Sequence, residues 1–214
     1  TNGSVNALPI RRQTSSASNL TTTNAILTVA GTTSDTWSVT TIPVIKKVFV
    51  ATNGGSKYNG NLGAVTGATS ADAKCTAAQG SLTGTFYAWI SDATTTYQPS
   101  TRFSGVGGSY RYVLPSGTVI ANGWADLTDG TLAAGINQDA SGTAVANGNV
   151  WTNVTSAGAR DGATSNTHAC TAWTSNLNTR SANVGTSGST TASWTDTGGT
   201  ATCNTTAYLY CFQQ

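Results

Sequence analysis

The stretch TCNTTAYLYCFQQ, residues 202–214, contains two of the four cysteines, with a polar turn after the first. After the turn the side chains alternate between two apolar sets, Tyr208, Tyr210 and Phe212 on one face and Ala207, Leu209 and Cys211 on the other. An alternation with a period of two predicts a β-strand that carries a cysteine on one face. We expect a disulfide to tie this strand to an earlier part of the chain.

The cysteines Cys75, Cys170, Cys203 and Cys211 are even in number, which predicts two disulfides in a secreted chain with three possible connectivities. Zinc is the competing interpretation. However, no two cysteines have the short spacing of a zinc site, and the one histidine, His168, lies beside Cys170. We therefore expect disulfides and no zinc.

The composition is poor in charge: 8% of the residues are charged, against roughly 25% in an average soluble protein. The net charge is +2. Because Lys and Arg are not clustered, we expect no nucleic-acid partner, and no apolar run is long enough to span a membrane. The hydroxyl-rich composition and the start at Thr1 are typical of a mature secreted protein, so we expect an extracellular or cell-surface location.

Residues 1–45 form a Ser/Thr-rich arm with two predicted strands, NAILTVA at 24–30 and TWSVT at 36–40. A two-stranded hairpin is only marginally stable alone in water. The arm is therefore either a solvated linker or a donor that adds strands to the sheet edge of another subunit. In the second case the expected contact residues are Ile26, Leu27, Val29, Trp37 and Val39.

The sequence of residues 46–214 predicts one domain that contains several strands, one clear helix and long loops. Strands are expected at 45–51, 86–91, 110–114 and 118–121, the last two as a hairpin. The helix lies between 67 and 79, with Thr69 or Ser70 as its cap and Gly80 as its stop. Residues 122–173 are mostly loop, and a domain with this much loop needs disulfides as staples.

The order of several motifs resembles the C-type lectin-like fold. These are Cys75 in the first helix, FYAWISD at 86–92, CTAW at 170–173, WTD at 194–196, Cys203, and the Cys211–Phe212 ending. The resemblance implies an α+β domain with a twisted antiparallel sheet, one or two helices, long loops and two disulfides. It also implies the pairings Cys75 with Cys211 and Cys170 with Cys203.

A closer resemblance covers about residues 46–214. The motifs that carry it are GNLG at 60–63, ADAKC at 71–75, AWISD at 88–92, NGWADLTDG at 122–130, ACTAWTSN at 169–176 and LYCF at 209–212. They are similar to the bacterial secreted family called domain of unknown function 1554, which belongs to the endostatin-like branch of the same fold. That family has no settled activity, so the resemblance implies a fold and not a function.

Calcium is the cofactor that the resemblance brings into question, because true C-type lectins bind sugar through a calcium ion. Here Trp194-Thr195-Asp196 resembles one of their two ligand motifs, but Thr replaces the Asn ligand and the other motif is missing. A second carboxylate group, Asp126, Asp129 and Asp139, lies in a glycine-rich loop. Such residues more often make Asx-turns than bind calcium, which needs six to eight oxygen ligands. We expect no cofactor.

The residues offer few groups for catalysis, and we expect no enzyme. With one histidine and no glutamate, a Ser/His/Asp arrangement through His168 is the only usual option, and no Gly-x-Ser-x-Gly elbow accompanies it. Two functions stay open. The protein is a subunit of a cell-surface or extracellular filament that self-associates through its arm, or an adhesin whose loops bind a glycan or matrix protein. We favour the filament because the sequence supplies an arm, whereas the lectin ligands are largely missing.

Overall fold

A computed structural model describes residues 43–108, 110–162 and 168–214. Residues 43–214 form one compact unit. The two predicted arm strands lie outside the described residues, together with their five expected contact residues, Ile26, Leu27, Val29, Trp37 and Val39.

The described chain is a mixed α+β structure, which confirms the predicted class. Its strands are β1 (Ile45–Ala51), β2 (Phe86–Ala88), β3 (Arg111–Val113), β4 (Val119–Asn122), β5 (Asn149–Trp151), β6 (Ser181–Thr186), β7 (Thr200–Thr202) and β8 (Leu209–Gln213). Its helices are α1 (Ala71–Ala78), the single turns α2 (Pro99–Arg102) and α3 (Trp124–Leu127), the helical segment Ala169–Trp173 and the 3-10 turn Ala192–Trp194. No helix in the described ranges is long and apolar enough to cross a membrane.

The larger sheet has five strands in the order β2-β8-β1-β3-β4. Strand β8 lies between β1 and β2 and runs antiparallel to both. The prediction of an antiparallel sheet is wrong for one pair, because β1 and β3 run parallel, with Ile45 opposite Arg111. A parallel pair needs a long crossover, and residues 52–110 provide one through α1, β2 and α2.

Strand β8 separates two buried clusters, and the alternation in the sequence matches this division. Leu209 and Cys211 contact the cluster that contains α1 and Phe49. Tyr210 and Phe212 contact the cluster that contains Val48, Trp89 and Trp194, among others. Both faces of the strand are therefore covered, and each face contributes to a different part of the core.

The smaller sheet, β5-β6-β7, is antiparallel throughout. It adjoins the larger sheet where Val150 of β5 bridges to Tyr208, just before β8. Trp151 is fully buried, and its indole N–H donates to the Tyr58 carbonyl at 2.9 Å. Trp151 thus joins the smaller sheet to the buried cluster that contains α1 and Phe49.

Helix α1 is shorter than its predicted window, and Ser70 is the cap. The Ser70 hydroxyl accepts a hydrogen bond from Ala73 N at 3.1 Å, which satisfies one of the free N–H groups at the helix start. Gly80, with a φ of 56°, follows the helix in the left-handed conformation that glycine favours. Cys75 lies on the buried face of the helix and points toward β8.

Two disulfides join distant parts of the chain. Cys75 pairs with Cys211 and links α1 to β8, and Cys170 pairs with Cys203. These are the two pairings that the resemblance implies. The cysteines are separated by 136 and 33 residues, respectively. On the chain-entropy model these loops correspond to about 5 and about 4 kcal/mol of stabilisation.

Replacing both cysteines of one pair by alanine should therefore cost more stability for Cys75 and Cys211 than for Cys170 and Cys203, by about 1 kcal/mol. All four cysteines are fully buried, so the two double variants are matched in the side-chain volume that they lose. Guanidinium unfolding of both variants measures the difference. A larger loss from the Cys170 and Cys203 variant would contradict the loop-length argument.

Candidate functional site

The loop carboxylates each order their own turn. The Asp129 carboxylate accepts hydrogen bonds from Thr131 N at 2.8 Å and from the Thr131 hydroxyl at 2.9 Å. The Asp139 carboxylate accepts three, from Ser141 N at 2.9 Å, Thr143 N at 3.0 Å and the Ser141 hydroxyl at 2.6 Å. These are the Asx-turns that the sequence favours over a calcium site.

Asp126 and Asp196 also bind neighbouring groups of the chain. Asp126 accepts from Asn122 N at the end of β4. Asp196 accepts from Gly198 N and from the Asn183 amide, both at 2.8 Å, which fixes the turn that leads into β7. Within the described ranges, no three His, Cys, Asp or Glu side chains lie close enough together to hold a metal ion. The structure does not gather the four calcium candidates into one site.

Thr195 stands where the resemblance places a calcium ligand, and it is buried in the core. Its hydroxyl accepts a hydrogen bond from the Trp89 indole at 2.7 Å and donates to the Val154 carbonyl at 3.0 Å. The Thr195 carbonyl accepts from the Thr152 hydroxyl at 2.6 Å. This side chain satisfies a buried indole, so it has no lone pair directed at solvent for a metal ion.

Two buried asparagines accompany this network, and no sequence motif marks them. Asn153 has a φ of 51°, and its amide donates to the Asp92 carbonyl at 3.4 Å. The side-chain oxygens of Asn153 and Asn183 are buried without a hydrogen-bond donor among the described residues. Such buried polar groups are costly. Both asparagines lie where β5, β6 and the segment after Trp194 meet, and there Asn153 N donates to the Asn183 carbonyl and the Asn183 amide donates to Asp196.

His168 precedes a segment with unusual backbone geometry. From Ala169 to Trp173 every residue has a positive φ, between 47° and 65°, although none is glycine. Each such residue costs roughly 1–2 kcal/mol, so tertiary contacts must hold the segment. Trp173 supplies several of them, because its indole donates to the Ser91 carbonyl at 2.9 Å and its carbonyl accepts from Leu62 N at 2.8 Å. The disulfide to Cys203 adds a covalent restraint.

The outer edges of the two sheets are formed by β2, β4, β5 and β7. The edge of β2 is closed by an ion pair. The Asp72 carboxylate accepts a hydrogen bond from Ala88 N at 2.8 Å, and the Arg102 guanidinium donates to the Ala88 carbonyl. The two side chains are 2.9 Å apart and only 13% and 9% exposed. The pair therefore occupies the N–H and C=O of Ala88, which another strand would need.

The edges of β4 and β5 are also covered. On β4, the Ile120 carbonyl accepts a hydrogen bond from Ala133 N at 2.9 Å. Beside β5, Trp151 N donates to the Tyr208 carbonyl at 3.0 Å, and Tyr208 N donates to the Asn149 carbonyl at 2.9 Å. Neither strand offers a continuous row of free backbone groups.

The edge of β7 is different. Cys203 N donates to the Arg180 carbonyl at 2.9 Å, just beyond the strand. Because bonded pairs alternate along an antiparallel ladder, the N–H and C=O groups of Thr200 and Thr202 point away from β6. The Thr202 carbonyl accepts from Thr205 N at 3.0 Å. In the part of the chain that the structure describes, the other three of these groups have no partner.

Comparison with known proteins adds no assignment to these features, since the sequence matches no family model and no curated protein. The sequence predicts that the loop carboxylates form Asx-turns, and Asp129 and Asp139 do so. It does not predict the Asp72–Arg102 pair, whose members are 30 residues apart. Neither residue belongs to a motif that links it to the other. A lone arginine after Pro99-Ser100-Thr101 carries no signal of its distant partner.

Asp139 provides a test that separates a turn residue from a calcium ligand. Replacing Asp139 by alanine should lower the free energy of unfolding by about 1–2 kcal/mol, because two backbone N–H groups lose their acceptor. Asp139→Asn keeps an acceptor oxygen and should retain most of that stability. Thermal unfolding with calcium and with a chelator should give the same midpoint. A midpoint that rises with calcium, together with an equal loss in both variants, would contradict the turn role.

The closed edge of β2 provides a second test. Asp72→Asn keeps an acceptor for Ala88 N but leaves the Arg102 guanidinium buried without its counter-charge, so we expect a loss of about 3 kcal/mol. Adding Arg102→Met removes that unpaired charge and should recover part of the loss. Urea unfolding of both variants and the parent measures this coupling. If Asp72→Asn is neutral, the ion pair does not hold the edge.

Proposed function

We propose that the protein is a non-enzymatic extracellular structural subunit. Copies join into a cell-surface or extracellular filament through residues 1–45, which precede a C-type lectin-like domain. The observation that carries the proposal is that residues 43–214 form a compact unit with its own core and two disulfides. Residues 43–214 therefore complete this core by themselves, and in the proposal the strands predicted at 24–30 and 36–40 bind a neighbouring subunit.

The distribution of charge supports the same proposal. The chain has only 10 basic and 8 acidic residues, so copies can lie against one another with little like-charge repulsion. Two of the few large apolar side chains exposed in the described ranges are Val44 and Ile45, at 40% and 53%. Both lie where the arm meets the domain. Neighbouring exposed apolar residues favour a contact with a partner at this junction.

The C-type lectin-like assignment is part of the proposal. Its support is the order of the motifs together with the pairing of Cys75 with Cys211 and of Cys170 with Cys203. The two disulfides also fit an extracellular protein, because such bonds persist in oxidising compartments.

A glycan- or matrix-binding adhesin is the second candidate. The observation that favours it is Trp124, which is only partly buried and packs 5.8 Å from Trp89 between ring centres, beside the loop that follows β4. A partly exposed indole is a surface on which a sugar ring can stack. The candidate ranks second because Asp126, Asp129 and Asp196 are engaged in turns. A blank glycan and matrix screen, with and without calcium, would remove it.

Deleting residues 1–40 tests the filament directly. The truncated protein should stay folded, with an unfolding midpoint close to that of the full chain, and should be a monomer by light scattering. The full chain should form long regular filaments in negative-stain micrographs. A truncated protein that still polymerises, or a full chain that stays monomeric under native conditions, would contradict the proposal.

A further inference from the structure

We propose that the open edge of β7 is the acceptor for the arm, and that it takes the predicted strand 36–40 of a second copy of this chain. The inference rests on the proposed function and names the surface that the filament contact uses. The occupant is a defined segment of the chain that lies outside the described residues. On this edge, three of the four outward backbone groups of Thr200 and Thr202 have no partner among the described residues.

Hydrogen-bond geometry is the first argument. The N–H and C=O of Thr200 and the N–H of Thr202 face away from β6 and have no partner among the described residues. An added strand bonds to an edge through alternate residues, so these groups suit a segment of three to five residues. Strand 36–40 has that length and contains no proline.

The edge also lacks the devices that prevent strand addition. Proteins protect exposed edges with lysine, proline, bulges or a covering segment. The sequence of β7 is Thr-Ala-Thr, preceded by Gly198 and Gly199, and it carries neither charge nor proline. By contrast, the edge of β2 is closed by the buried Asp72–Arg102 pair. The β2 edge therefore carries a buried ion pair, whereas the β7 strand has no charged residue.

The side-chain pattern of the two strands matches. In β7, Thr200 and Thr202 are exposed, whereas Ala201 is partly buried and packs against the core cluster that contains Cys203. In TWSVT, Trp37 and Val39 alternate with three hydroxyl side chains. In the register that sets Ser38 opposite Thr202, Trp37 and Val39 lie on the same side as Ala201, because residues opposite each other in neighbouring strands share a face. The apolar surface around Ala201 is then covered, and the hydroxyls stay in water.

The reach of the chain favours a second copy over the same copy. The pairing of residue 58 with 207, and the hydrogen bond from Gly60 N to the Cys203 carbonyl, place β7 beyond the Ala51 end of β1. The arm enters at the other end of β1, at Ile45. The connection from Thr40 to Ile45 spans at most about 18 Å, and β1 alone is about 20 Å long. Because this connection is shorter than β1, the proposal assigns the strand to the β7 edge of a second copy.

The first experiment places charge on the acceptor edge of the full-length chain. Thr200→Lys with Thr202→Lys should leave the domain folded, because both side chains are exposed, and should reduce filament formation at least tenfold in a sedimentation assay. The matched control, Thr95→Lys with Thr96→Lys, adds the same charge at exposed loop positions and should assemble normally. If the edge variant polymerises like the control, β7 is not the acceptor, although the filament proposal survives. If the unmodified full chain does not assemble, that proposal fails first.

The second experiment maps the contact by cross-linking. The four natural cysteines are paired, so the full chain offers a background without free thiols. Chains with Ser38→Cys are mixed with chains with Thr202→Cys and oxidised during assembly, and a disulfide-linked dimer on a non-reducing gel is expected. Chains with Asn122→Cys, on the covered edge of β4, replace the acceptor in the control and should give no dimer above background. An equal yield from both mixtures, or an internal disulfide in a monomeric chain with both changes, would overturn the inference.

Discussion

The pairing of β8 between β1 and β2 is the interaction on which the rest of the structure depends. The residues of β8 alternate between the two core clusters, so one face of the strand packs against the cluster that contains Trp89 and Trp194, and the other face packs against the cluster that contains α1. The disulfide of Cys211 then joins β8 to α1. Because the chain is rich in loops, few other elements are long enough to organise both clusters. Strand β8 thus completes a core most of whose other members lie much earlier in the sequence.

Much of this was accessible from the sequence, because the signals were local. The alternation at 207–212, the strand at Ile45–Ala51 and the Ser70 cap depend on neighbouring residues, and the structure has all three. The parallel pairing of β1 with β3 was missed because alternation says nothing about the direction of a partner strand. The left-handed segment Ala169–Trp173 was missed because only its tertiary contacts, among them the disulfide, overcome the intrinsic preference of its residues.

The same contrast applies to the candidate sites. Aspartate in a glycine-rich loop predicts an Asx-turn, and Asp129 and Asp139 make such turns. The role of an edge, however, depends on what covers it, and the cover comes from distant residues such as Arg102. The backbone groups of β7 that have no partner among the described residues follow from the alternation of its ladder, and the turn at Thr205 takes only the Thr202 carbonyl. A sequence specifies such an edge only through the whole fold.

The positions of the two disulfides determine how the domain responds to mechanical tension. Force that enters at Ile45 and leaves at β7 follows a covalent path from Cys75 across to Cys211 and back along eight residues to Cys203. Residues 76–199 lie outside that path. Pulling therefore extends only the chain between Ile45 and Cys75 and the short return to Cys203. The Cys75–Cys211 disulfide therefore limits the extension, and the loops between these two cysteines do not carry the load.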